Sequence, residues 1–294
     1  MAFKRNWLRR RSAPGETVFT DFFYSHSTWV DGVLVIGVWT GLSLLGLWLF
    51  QRFVDVHLRE KDTETVGLTY AIVAVVFAVL IAVIIVDVWE TFAKSDEITT
   101  AEANQITSVL LDTAGLPAPE GDTVRADIDK YIDLVVKSEW PSQQKGDLDE
   151  KVFEPGWLVI GKMSTQLAVF EPKTIGQNAT KAELLRTMNN LIKARRNRIL
   201  AAGVHLPDTV WDILLIAGVV AVFYTYLFGA HSFRIHLAIT GLIAATIALT
   251  FTLIVALDYP FRGDVSVSDD AFVGVRAAVG LGIAPPTEAK PVPH

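Results

Sequence analysis

The chain has 294 residues, of which 51% are hydrophobic and 20% charged, and its mean hydropathy is +0.37. That pairing implies apolar blocks alternating with a polar part. Abundant Leu, Ile, Val and Phe exclude disorder over most of the chain, and 20 Gly and 12 Pro without a period exclude a collagen-like fibre. With no Cys there is no disulfide framework, thiolate metal site or cysteine nucleophile. The net charge of −6 hides segregation: Lys4, Arg5, Arg9, Arg10 and Arg11 crowd the start, Lys193, Arg195, Arg196 and Arg198 form a second basic run, and the acids gather between Glu90 and Glu154. The global acidic balance therefore argues nothing about nucleic acid, and no nucleic-acid partner is expected.

Residues 1–30 read as a basic, aromatic arm. Trp7, Phe22, Phe23, Tyr24 and Trp29 on it are candidate docking points, because large exposed aromatics make good anchors. The first predicted span runs from Gly32 to Phe50 without a charge. The second runs from Val66 to Val86, also uncharged, with Asp87 and Glu90 following. Both have the roughly 20 apolar residues needed to cross a bilayer core. Residues 31–92 thus form a first transmembrane hairpin. Gly37, Gly41 and Gly46 in the first span allow close helix approach, within the chain or between subunits.

Residues 93–208 form a polar, helical domain. Ile98, Ile106, Val109 and Leu110 continue the period of the second span, predicting one helix from Val66 to Thr113, roughly 70 Å long at about 1.5 Å per residue. Gly115, Pro117 and Pro119 close it. Val124, Ile128, Tyr131, Ile132 and Val135 make the apolar face of a helix that Pro141 is expected to stop. An apolar segment from Trp157 to Phe170 is bounded by Pro155 and Pro172. Leu184, Met188, Leu191 and Ile192 stripe a further helix, ended by Gly203 and Pro207.

Residues 209–258 form a second hairpin, with spans from Ile213 to Gly229 and from Ile235 to Leu257. Residues 259–294 read as a tail, Pro-rich and disordered from about 284. Lys and Arg near span ends set orientation. The N-terminal arm and the KARRNR run at 193–198 are basic, whereas the link between the third and fourth spans holds only Arg234. Both termini and the polar domain are therefore expected on the cytoplasmic side of the membrane. The fold class expected is all-α, with four transmembrane helices in two hairpins and an inserted cytoplasmic helical bundle.

Several segments, in order, resemble one family: LREKDTETVG (58–67), DVWETF (87–92), AEAN (101–104), KSEWP (137–141), ARRNRILAAGVHLPDTVW (194–211), YLFGAHSFRIH (226–236) and ALDYPFRGDVSVS (256–268). Their order and spacing resemble the prokaryotic DUF4239, or bestrophin-like domain, family of integral membrane proteins. The likeness covers roughly residues 58–272. It implies four membrane helices, a helical soluble insertion, a place in a bacterial inner membrane and a remote kinship with anion channels. Asp87 departs from the pattern, standing where a small residue is expected.

Catalytic chemistry finds little support, and no enzyme, cofactor or metal is expected. The six His are scattered, and no GxSxG, HExxH, P-loop or GxGxxG occurs. No ionisable residue lies mid-span, which disfavours ion-coupled transport but leaves a passive channel open. Val73, Val76, Phe77, Leu80 and Ile84 form one face of the second span, either lining a pore or packing a core. Arg195, Arg196, Arg198, Arg234 and His236 are candidate contacts for anions or lipid head groups. Asp258 ends the fourth span against the helix dipole, and Arg262 or the 194–198 cluster is expected to compensate. Glu102 and Asn104 are expected to make polar contacts inside the bundle. Two functions remain: an oligomeric, bestrophin-like passive anion channel, or a non-catalytic accessory or scaffold subunit of a larger membrane complex, docking through the arm. The partners implied are the bilayer and either further copies of the chain or other membrane proteins.

Overall fold

The structure, a computed structural model, describes residues 28–54, 59, 62–230 and 232–281. The aromatic arm through Tyr24 and the Pro-rich end lie outside the described residues, as does the side chain of Trp29. The described part is helical throughout and contains no strand. Its helices are α1 (Thr28–Phe53), α2 (Thr63–Asp112), α3 (Ala118–Leu134), α4 (Trp140–Gln144), α5 (Glu150–Val169), α6 (Ile175–Ala201), α7 (Asp208–Tyr226), α8 (Phe233–Asp258) and α9 (Asp270–Leu281). Four of them, α1, α2, α7 and α8, are long and apolar enough to cross a membrane.

The apolar period that runs from the second span into the polar domain yields one helix, α2, of 50 residues. Its first half is membrane-type and its second half is a strut of the polar domain. Among the membrane helices, chain neighbours are not the closest space neighbours. The main partner of α1 is α8, while α2 packs on α7 and α8. Glycines set these approaches: a Cβ at Gly46 would stand 2.6 Å from the Tyr226 hydroxyl, and one at Gly218 would stand 2.9 Å from the Phe251 ring. Gly37 and Gly41 meet nothing within 4 Å, so that face of α1 is open. The membrane core joins Leu47, Ile81, Ile84, Leu214, Val222, Ala244, Phe251 and Ile254.

The polar domain wraps its own core around the far half of α2. Ile106, Val109, Ile128, Tyr131, Ile132, Met163, Leu184, Met188 and Leu191 are buried there. The predicted stripes therefore face inward.

Two prolines act differently from expectation. Pro141 does not stop its helix. A five-residue π-turn, Val135–Glu139, links α3 to α4, and Pro141 sits in the first turn of α4. The π-turn absorbs the missing N–H and the ring's clash with the preceding turn. Pro155 lies inside α5, which begins five residues earlier behind an Asp149 cap that accepts from the Lys151 N–H at 3.1 Å. The span 259–294 also contains an unforeseen helix, α9. It buries Phe272 and Val275 in the polar-domain core and ties Arg276 to Asp133 at 2.7 Å.

Candidate functional site

Among the described residues, one face of α2 is unpartnered along almost its whole length. Leu68, Ile72, Val75, Val76, Val79, Val83 and Val86 recur at helical spacing, each between 56% and 68% exposed. Beyond Val86 the same face continues through Asp87, Glu90, Lys94, Glu97, Ala101 and Asn104, all exposed. It is apolar within the membrane-type half and charged where the polar domain begins. Lys94 is paired with Glu97 at 2.7 Å. Asp87 and Glu90 make no ion pair among the described residues, and both border a groove of about 580 Å³ between α2 and the end of α6. Lys94, Thr91, Ser95 and Asn197 add polar walls to that groove, and Leu200 and Val204 add apolar ones.

A buried polar cluster fixes the direction of α2. The Arg195 guanidinium donates to both carboxylate oxygens of Glu139, at 2.7 and 2.9 Å, and to the Phe153 carbonyl at 2.9 Å. Arg198 donates to Glu102 at 2.7 Å and to Glu139 at 2.8 Å. The Tyr131 hydroxyl donates to Glu102 and accepts from Arg195. Both guanidiniums and both carboxylates are at most 1% exposed. Arg195 also lies over the Tyr131 and Trp157 rings, and Arg198 over Phe272. Two positive and two negative charges cancel, and the bidentate geometry satisfies groups that burial would otherwise penalise. Burial works against each guanidinium's charge, but the neighbouring carboxylates and the Tyr131 oxygen outweigh it, so both arginines sit above their ordinary pKa. Burial first, then the Glu102 charge, pushes the Tyr131 phenol up.

The membrane helices carry polar pins at both ends. Arg59 donates to the Tyr226 and Phe228 carbonyls at 2.9 and 3.3 Å, capping α7. His236 lies between the Thr225 carbonyl, 2.7 Å from Nε2, and the Gln51 side chain, 3.0 Å from Nδ1. Those partners fit the neutral tautomer with the proton on Nε2. At the other end Asp258 accepts from the Leu206 N–H at 2.6 Å and the Trp211 indole at 3.0 Å. The expected cationic compensation from Arg262 or the 194–198 run is thus replaced by two neutral donors.

The predicted site residues divide as follows. Of the five pore candidates, Val76 lies on the open face. Val73, Phe77 and Leu80 are half-buried, and Ile84 is buried in the membrane core with Phe77 and Leu80 packed against that core. The predicted face is displaced roughly a quarter turn from the open one, at about 3.6 residues per turn. Arg195, Arg198 and His236 are not surface groups: each is at most 2% exposed and has protein partners. Arg196 and Arg234 are exposed. Glu102 joins the buried cluster as expected, whereas Asn104 is exposed on the open face. Sequence reading grouped Arg195, Arg196 and Arg198 as one basic patch. Their alternation on α6 held the missed signal, because positions 195 and 198 share the inward face with Leu184, Met188 and Leu191. Among the described residues no three His, Asp or Glu converge as a metal would require.

The bestrophin-like domain model matches residues 37–272. No curated protein matches the chain. Among solved structures, a bacterial bestrophin homologue from Klebsiella pneumoniae superimposes with a TM-score of 0.62 at 10% identity, covering 85% of this chain and 99% of that one. A second structure of that homologue gives 0.58 at 11% identity, covering 83% and 97%. A structure described only as a membrane protein gives 0.55 at 12% identity, covering 82% and 97%. At such identities the structural likeness speaks for the fold alone, while the family model spans most of the sequence: the chain belongs to the bestrophin-like family of membrane proteins.

Proposed function

We propose that several copies of this chain assemble into a passive ion channel, with the open face of α2 turned toward a central path and the polar domain in the cytoplasm. One observation carries the reading. The face from Leu68 to Asn104 has no partner among the described residues, is apolar where a membrane would surround it, and becomes charged where the polar domain begins. A lipid-facing helix has reason for the first half of that pattern but not for its straight continuation into a polar half. An apolar constriction opening into a wet vestibule accounts for both. Arginine spacing supports the cytoplasmic placement of the polar domain. The expected preference for anions loses support from Arg195, Arg198 and His236, which are buried and partnered.

The test is the mass of the detergent-extracted particle, followed by current measurement in planar bilayers. A closed homo-oligomer that passes current supports the reading. A single copy held by other proteins would replace it with the accessory-subunit reading, and a silent homo-oligomer would remove conduction.

A further inference from the structure

We infer that Asp87 and Glu90 set the ion preference of the path and make it favour cations over anions. This rests on the channel reading above and adds the sign of the ion. The two carboxylates follow directly after Val86, the last apolar residue of the open face, and Glu90 lies four residues on, one helical turn below it. Any arrangement of copies that turns Ile72, Val76, Val79 and Val83 toward a common axis therefore turns Glu90 toward it as well, with Asp87 beside it. Symmetry then repeats both charges once per copy at one level of the path.

Three features leave that charge with a negative excess. Lys94, the one cation on the stripe, borders the same groove but lies 2.7 Å from Glu97, so the stripe carries three carboxylates, Asp87, Glu90 and Glu97, against one ammonium. Of the arginines beside the groove wall, Arg195 and Arg198 are buried and neutralised by Glu139 and Glu102, and Arg196 is exposed but does not border the groove. Neither Asp87 nor Glu90 has an ion-pair partner among the described residues. Space is also available, since both side chains border the groove of about 580 Å³, with Thr91, Ser95 and Asn197 as further polar walls. A hydrated monovalent cation fits such a volume without losing its water. Repeated like charges at the mouth of a low-dielectric constriction focus the potential and raise the local concentration of counter-ions, by about tenfold or more in charged clefts.

The experiment is the reversal potential of the reconstituted full-length protein under unequal KCl on the two sides. The wild type is expected to pass K⁺ in preference to Cl⁻. The double variant Asp87→Asn/Glu90→Gln should lower that permeability ratio several-fold. Asp96→Asn, an exposed charge of the same helix off this face, should leave it unchanged. The natural absence of Cys permits a second readout that does not depend on how the double variant folds. In Glu90→Cys, a positively charged thiol reagent should lower the ratio further, and a negatively charged one should restore it. A wild type that prefers Cl⁻ overturns the inference and leaves the channel reading standing. So does a ratio that neither the double variant nor the thiol reagents move. A silent homo-oligomer overturns the channel reading and the inference with it.

Discussion

Glu102 and Arg198 meet at 2.7 Å, ninety-six residues apart in the chain, with neither side chain exposed to solvent. Through this contact α6 holds α2 at the level where the latter has left the membrane-type half. Arg198 also reaches Glu139 at 2.8 Å, and Tyr131 closes the ring by donating to Glu102. Replacing one member leaves a buried charge without its partner, a loss of about 3–5 kcal/mol. Arg198→Met or Glu102→Gln should therefore greatly reduce the fraction that survives thermal challenge in detergent. Arg196→Met, two residues away but exposed, should have almost no effect on the same melting curve.

Gly156 backs this cluster from α5. A Cβ there would run into the Arg195 guanidinium and the Glu139 carboxylate. Both are pinned by several hydrogen bonds, so neither can move aside cheaply. Gly156→Ala should destabilise the polar domain by about 1–3 kcal/mol, the usual loss on overpacking a dense interior. Gly161→Ala, five residues on in the same helix, meets nothing within 4 Å and should be neutral or slightly stabilising by helix propensity. Parallel melting curves of the two variants check the contrast.

The contrast between Arg195 and Arg196 also marks how far sequence reading reached. Apolar periodicity carried the four spans, the length of α2 and the inward stripes of α3 and α6, since burial of apolar side chains fixes which face turns inward. It could not carry the buried cluster. Arg195 and Arg198 sit on the apolar face of α6, where a charge is tolerated only because Glu102 and Glu139 arrive from distant segments. The π-turn that delivers Glu139 has no pattern of its own, and Pro141 read in isolation signals a stop. On α2 the predicted pore face and the open face are both apolar. Periodicity cannot separate them, whereas the packing of Ile84 places it in the membrane core.

The last described helix is held by a titrating contact. Arg276 of α9 lies 2.7 Å from Asp133 of α3, and Lys137 lies 2.8 Å from the same side chain. The hydrogen bond from Lys137 chiefly, with the charges of Arg276 and Lys137, holds the Asp133 carboxyl below its ordinary value. A depressed carboxylate stabilises the folded arrangement above its unfolded pKa, and the contribution disappears as pH falls through the folded pKa. Protease cleavage between α8 and α9 should thus accelerate only below the ordinary carboxylate range, near pH 4 and lower. Asp133→Asn should show the faster cleavage already at neutral pH and lose the pH dependence. Equal cleavage of wild type and variant would remove Asp133 as the clasp.

Neighbouring residues on α2 separate path from packing. Val83 is 63% exposed on the open face, while Ile84, the next residue, is 7% exposed among the membrane-core side chains. If the open face lines the path, Val83→Ala widens a constriction and should raise unit conductance while leaving the oligomer intact. Val76→Ala should act alike, because positions 76 and 83 lie two helical turns apart on one stripe. Ile84→Ala instead removes contacts inside the helix bundle, where dispersion is the main attraction between helices in lipid. It should lower the melting temperature in detergent and leave the conductance of surviving channels unchanged. Phe77→Ala belongs with Ile84, since its ring packs toward the same core. Single-channel recordings beside melting curves decide the matter: conductance that follows Phe77 and Ile84 rather than Val76 and Val83 would place the path on the other face of α2.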